Sequence, residues 1–136
     1  MKFQKYLLSE DPIANKTENG VTTGFTLKLF YPNYRGMYLS YINDIMVVVD
    51  GEQYHGSDIR VTLKSGSYTL DEMKTCGFSR WNYAEPGEVF VQLAGGLKPG
   101  PHRIEAGINA RGYLGTHDDY TGGWRDIVIE GGESNG

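Results

Sequence analysis

The chain has 136 residues, which suits one hydrophobic core, and a net charge of -4 with its 13 basic residues scattered, which excludes the basic run of a nucleic-acid binder. Apolar residues make up 39% and charged residues only 22%, and the 19 glycines predict many turns between short strands. No apolar stretch approaches the ~18 residues of a membrane span, the N-terminus is unlike a signal peptide, and Cys76 is the single cysteine, so the expected setting is reducing and cytoplasmic.

Residues 1–19 open with a short apolar patch, Tyr6–Leu8, turn polar through Asn15, Lys16 and Asn19, and break at Gly20. Val21–Tyr31 alternates, with Phe25, Leu27 and Leu29 on one face and Thr26 and Lys28 on the other, which is the period of a half-buried strand. Pro32 ends that strand because proline cannot donate to a ladder, and the loop Asn33–Tyr38 follows. Ile42–Asp50 is a second strand. Its Met46–Val49 run is apolar on both faces, as in a strand that is central or covered on both sides. Asp50-Gly51 is a two-residue hairpin signal, since glycine tolerates the positive φ that such turns need.

Ile59–Leu63 and Ser67–Leu70 form another predicted hairpin around Lys64-Ser65-Gly66. Thr69 with Glu72 matches a helix capping box, opening a short helix over Leu70–Thr75 that Gly77 breaks. Glu88–Leu93 and His102–Ala110 alternate on either side of the Leu97–Gly100 turn and predict a third hairpin-like pair. Arg111–Gly123 reads as a polar, glycine-rich loop, Trp124–Glu130 as a last strand, and residues 131–136 as a disordered tail. The spacing predicts an all-β protein: an antiparallel β-sandwich of about six to eight strands with one short helix, a single domain over residues 1–130.

Catalytic signatures are sparse. His55, His102 and His117 share no ligand spacing; His117 beside Asp118 and Asp119 is the one cluster with metal-ligand character, and a polar loop explains it equally well. There is no nucleophile elbow, no Cys–His pairing and no phosphate cradle, and Cys76 reads as a half-buried thiol. No catalytic or metal-binding residue is therefore assigned to this chain. What remains is aromatic and arginine content in loops, the residue types enriched at binding hot spots and suited to stacking on flat or sugar rings. The contact candidates are Tyr31, Tyr34, Arg35 and Tyr38 in one loop, Trp81 before Pro86, and Arg111, Tyr113 and His117 in the last long loop. For Trp81 and Trp124 a place in the core is the competing reading.

The segments NYRGMYLSYI (33–42), VVVDGE (47–52), Trp81 followed by Pro86, and GGLKPGPHRIE (95–105) occur in an order that resembles the β subunits of C-glycoside deglycosidases, over about Tyr6 to Arg111. The resemblance implies a β-sandwich small subunit, paired in a hetero-oligomer with a larger α subunit similar to a sugar isomerase barrel. That partner would carry a divalent metal, Mn or Mg, with no cofactor on this chain. It implies carbon–carbon lyase chemistry on 3-oxo-C-glycosides, with no nucleic-acid or membrane partner. A C–C bond has no oxygen to protonate; oxidising the sugar at C3 acidifies the hydrogen at C2, a metal at the carbonyl stabilises the resulting charge, and the aryl carbon leaves by elimination. The Tyr31–Tyr38 loop is then expected to approach the partner's active site. Two other readings stand beside this one: a free-standing intracellular carbohydrate-binding sandwich, and an enzyme in its own right using His117, Asp118, Arg111 and Glu85.

Overall fold

The computed structural model describes residues 2–3, 7–31, 36–110 and 120–130. Among them are twelve strands: β1 (Lys2–Phe3), β2 (Ala14–Glu18), β3 (Val21–Leu29), β4 (Met37–Tyr38), β5 (Ile42–Val49), β6 (Glu52–His55), β7 (Ile59–Leu63), β8 (Gly66–Thr69), β9 (Arg80–Trp81), β10 (Gly87–Gln92), β11 (Gly100–Ala110) and β12 (Thr121–Ile129), with helix α1 (Leu70–Lys74) after β8. They form one five-stranded sheet of order β1-β12-β11-β5-β6, a second of order β2-β3-β10-β7-β8, and a separate β4-β9 ribbon. β1 runs parallel to β12; the other pairs are antiparallel.

Period-two burial explains why the two sheets close on each other. Ile45, Val47, Ile104 and Ile108 point inward from the first sheet, and Phe25, Leu27, Val61, Val89 and Val91 from the second, and all belong to one buried cluster. Each such side chain, fully buried, contributes about 1.5–3 kcal/mol relative to exposure. The result is the expected all-β, mostly antiparallel sandwich. It has twelve strands among the described residues where about six to eight were expected, because short or fully exposed strands such as β1, β4, β9 and β2 carry no apolar alternation. β5, the strand apolar on both faces, lies between β11 and β6. Cys76 packs half-buried against the core. No helix among the described residues is long and apolar enough to cross a membrane.

Turn chemistry sets the hairpins. Asn19 (φ 53°) and Gly20 (φ 79°) join β2 to β3, and Asp50 (φ 51°) and Gly51 (φ 90°) join β5 to β6. Both are left-handed pairs, whose twist matches that of paired strands. β2 is exposed along its whole length, so it has no apolar alternation that would reveal it in the sequence. The capping box forms as expected: Glu72 N–H donates to Thr69 Oγ1 at 3.1 Å and Thr69 N–H to Glu72 Oε1 at 2.8 Å.

Two expectations are corrected. β10 and β11 do not form a hairpin; β10 pairs with β3 and β7, and β11 with β12 and β5. The Leu97–Gly100 turn carries the chain across the sandwich, because both strands have an apolar face and each fills a central position in a different sheet. Thr121–Gly123 belongs to β12 and not to a loop. A side chain at Gly122 would run into the Ala106 carbonyl oxygen, so glycine there serves close strand approach.

Candidate contact surface

The β4-β9 ribbon is built on Trp81. Its side chain is fully buried, its indole N–H donates to the Glu85 carbonyl oxygen at 2.8 Å, and its ring lies 5.9 Å from that of Tyr31 at 53°. Gly87 must lack a side chain because the Trp81 ring occupies the space a Cβ would need. Glu85 is only 6% exposed, and its carboxylate is consumed by the fold. Oε2 accepts from Lys64 N–H at 2.8 Å, and Oε1 accepts from Asn82 N–H at 3.2 Å and Asn82 Nδ2 at 3.3 Å. Tyr68 adds a second tie, its hydroxyl donating to Ser79 Oγ at 3.3 Å while standing 2.7 Å from Ser65 Oγ. The ribbon is thereby fixed to the β7–β8 turn, and Leu39 N–H donates to the Ser79 carbonyl at 2.9 Å just beyond it.

On this rigid base the outward side chains are aromatic. Phe78 is 99% exposed and Tyr83 67%, and Tyr38 and Tyr41 are exposed as well. Tyr38 and Arg80 face each other across the ribbon, with the guanidinium 4.7 Å from the ring centroid. Phe78, Arg80 and Lys64 border a shallow depression of about 450 Å3 with Glu85 in its lining. Half of the large exposed apolar side chains among the described residues lie within a few positions of this ribbon. Apolar area concentrated on one part of a surface, held by a stiff scaffold and edged by arginine, is the composition of a docking hot spot.

The sequence candidates divide three ways. Tyr38 lies in this surface. Tyr31 and Trp81 are buried, their rings tilted against each other beneath the ribbon, so in this fold both side chains belong to the core. Tyr34, Arg35, Arg111, Tyr113 and His117 lie outside the described residues, as do Asp118 and Asp119. Of the alternative catalytic set, Glu85 serves the fold, and the rest also lie outside them. Trp124 is exposed on the outer face of the first sheet, with Arg103 4.1 Å over its ring and Glu105 Oε2 3.1 Å from Arg103 Nε. Sequence reading missed Tyr41, Phe78 and Arg80; the available signal was their position around Trp81 and the Asn33–Tyr38 loop. No three His, Cys, Asp or Glu side chains come together as a metal-ligand set among the described residues.

Fold and surface define an all-β sandwich that exposes a group of aromatic side chains and keeps its buried carboxylate for structure. Residues 3–112 match the family model described as "C-glycoside deglycosidase beta subunit". A "C-glycoside deglycosidase beta subunit" from Eubacterium cellulosolvens is 35% identical over 93 residues, 68% of this chain and 63% of the relative. The chain belongs to the C-glycoside deglycosidase beta subunit family. The aligned part spans just under two thirds of that relative's length.

Proposed function

We propose that this chain is the small, accessory subunit of a hetero-oligomeric carbon–carbon lyase that releases the aglycone of 3-oxo-C-glycosides by elimination in the cytoplasm. The observation that carries the reading is the family match over residues 3–112. The reaction needs a base to take the acidified C2 hydrogen and a positive centre to hold enolate charge. On this reading both reside on a larger α subunit similar to a sugar isomerase barrel, whose Mn or Mg ion would supply the electrophile. The chain's own part is to bind and cover. The ribbon carrying Tyr38, Phe78, Arg80 and Tyr83 docks against the partner, and the adjoining segment with Tyr34 and Arg35 approaches its active-site mouth. A prebuilt aromatic surface loses little conformational entropy on docking, which supports assembly by this face.

The test is capture of the partner by tagged chain from native lysate, with aglycone release from a 3-oxo-C-glycoside assayed for the chain alone and for the captured complex. Release by the complex and none by the chain alone is expected. Turnover by the purified chain alone, or capture of no stoichiometric partner, would overturn the reading. Phe78→Asp combined with Tyr38→Ala should weaken capture by about tenfold or more, and Tyr34→Ala with Arg35→Ala should lower capture or activity, all with wild-type Tm.

A further inference from the structure

The outer face of the second sheet carries a groove that plays no part in the docking reading. It is a trough of about 520 Å3 running across β2, β3, β10, β7 and β8, within the range of small-molecule sites of about 300–1,000 Å3. Strand register places Phe90 at its middle, between Thr26 of β3 and Arg60 of β7. The ring lies across Gly24, where an added Cβ would stand 2.9 Å from two ring atoms. A Cβ there would first meet the Val91 carbonyl oxygen, so the glycine serves close strand approach and also leaves room for the phenyl ring on the sheet. The Lys16 ammonium, on an exposed edge strand and 3.6 Å from Glu18 Oε2, stands 5.4 Å from the ring centroid. Such an exposed cation–π contact is worth about 0.5–1 kcal/mol and is readily displaced. A smaller depression of about 140 Å3 lies against the same Phe90, Arg60 and Gln92, so the ring stands between two hollows.

The chemistry around the ring is specific in kind. Beyond the backbone pairing of their strands, the side chains of Arg60, Glu88 and Gln92 make no hydrogen bond or ion pair with any described residue, so a guanidinium, a carboxylate and an amide are left open to a ligand. The charges lining the trough cancel: Lys16 and Arg60 against Glu18 and Glu88. That balance disfavours phosphate-rich, polyanionic or cationic ligands. One small aromatic platform among many polar groups is also too little apolar area for a flat phenolic ligand or a protein helix. The ligand these features fit has a C–H face to lie on a ring and hydroxyls around its rim to accept from Arg60 and Gln92 and donate to Glu88: an uncharged pyranose.

We infer that this groove is a binding site for neutral carbohydrate, with Phe90 as the stacking platform and Arg60, Glu88 and Gln92 as the hydroxyl-binding groups. The trough is open and shallow, so binding is weak, in the millimolar range. The inference rests on the groove alone and holds whether or not the chain acts as a lyase subunit.

The experiment is amide chemical-shift titration of the isotope-labelled full chain with methyl β-D-glucopyranoside and maltotetraose, using glucose 6-phosphate and glucuronate as charged controls. Saturating shifts confined to β3, β7 and β10 are expected, with the neutral sugars binding at least as well as the charged ones. Phe90→Ala should weaken binding by about tenfold. Because Phe90 also covers Gly24, Arg60→Ala and Gln92→Ala, at exposed positions, are measured beside it and should each weaken binding with an unchanged spectrum elsewhere. The site is refuted by absence of saturation with both neutral sugars, by shifts centred on another surface, by preference for the charged sugars, or by unaltered affinity in the well-folded Arg60→Ala and Gln92→Ala variants. None of these outcomes bears on partner capture or aglycone release, so the two readings fail separately.

Discussion

At the residue scale, the Asp50–His102 pair shows how one turn residue comes to hold two distant strands. Asp50 Oδ1 accepts from Arg103 N–H at 2.8 Å, and Oδ2 stands 2.7 Å from His102 Nδ1, while His102 Nε2 is 2.6 Å from the Lys98 carbonyl oxygen. Both ring nitrogens face acceptors, so the doubly protonated imidazolium is the form that satisfies them. The Lys98 carbonyl and the Asp50 carboxylate accordingly raise the His102 pKa above its ordinary 6.5. The Arg103 backbone N–H, and then His102, lower that of Asp50 below 3.8. A raised histidine stabilises the fold fully below its unfolded pKa and loses that contribution as pH rises through the folded value. A lowered carboxylate stabilises above its unfolded pKa and loses that contribution as pH falls. The pair therefore stabilises most between about 3.8 and 6.5, and Tm should fall from pH 6 to pH 8 by calorimetry. His102→Gln should remove most of that slope; an unchanged slope would assign it to other groups. The Asp50-Gly51 turn was legible in the sequence, but its partners were not, because His102 lies 52 positions away.

At the element scale, short pieces stand only where local chemistry and tertiary packing agree. Helix α1 has five residues, too few to persist alone. Its capping box satisfies two backbone donors while Leu70 and Met73 bury against the sheets, which is why so brief a pattern was correctly read. Thr69→Ala should lower unfolding free energy by about 1 kcal/mol, measured by urea denaturation, without changing the slope. The β4-β9 ribbon is the opposite case. Each of its strands has two residues, and it exists because Trp81 is buried beneath it and Glu85 ties it to the β7–β8 turn. Two-residue pairings leave no periodicity to detect, so this element and the exposed side chains it carries emerge only in three dimensions.

At the scale of the molecule, β11 is the spine. Its eleven residues pair with β12 on one side and β5 on the other, and most of its second half is buried. β2 lies at an edge and is exposed throughout. Opening free energies follow burial and protected pairing. Hydrogen exchange should therefore find the slowest amides in β11 and β5, near the global limit, and the fastest strand amides in β2. Equal protection in β2 and β11 would contradict this ordering. The same layout separates two outward surfaces, the aromatic ribbon and the polar trough on the second sheet, so each can be altered without disturbing the other.

The sequence by itself determined the all-β sandwich, the Asp50-Gly51 hairpin, the capped helix and the family. Those are written in period-two alternation, in residue pairs that favour left-handed backbone, and in ordered local segments. Tertiary structure alone decided which strands share a sheet, because β10 and β11 have equally suitable apolar faces and only the competing partners β3, β7, β5 and β12 assign each to its layer. It also decided which aromatics face inward. Trp81 and Tyr31 are buried while Phe78, two positions before the β9 strand, is left in water. Aromatic residues carry the same hydrophobicity in either place, and the difference lies in whether the fold offers each ring a cavity to fill.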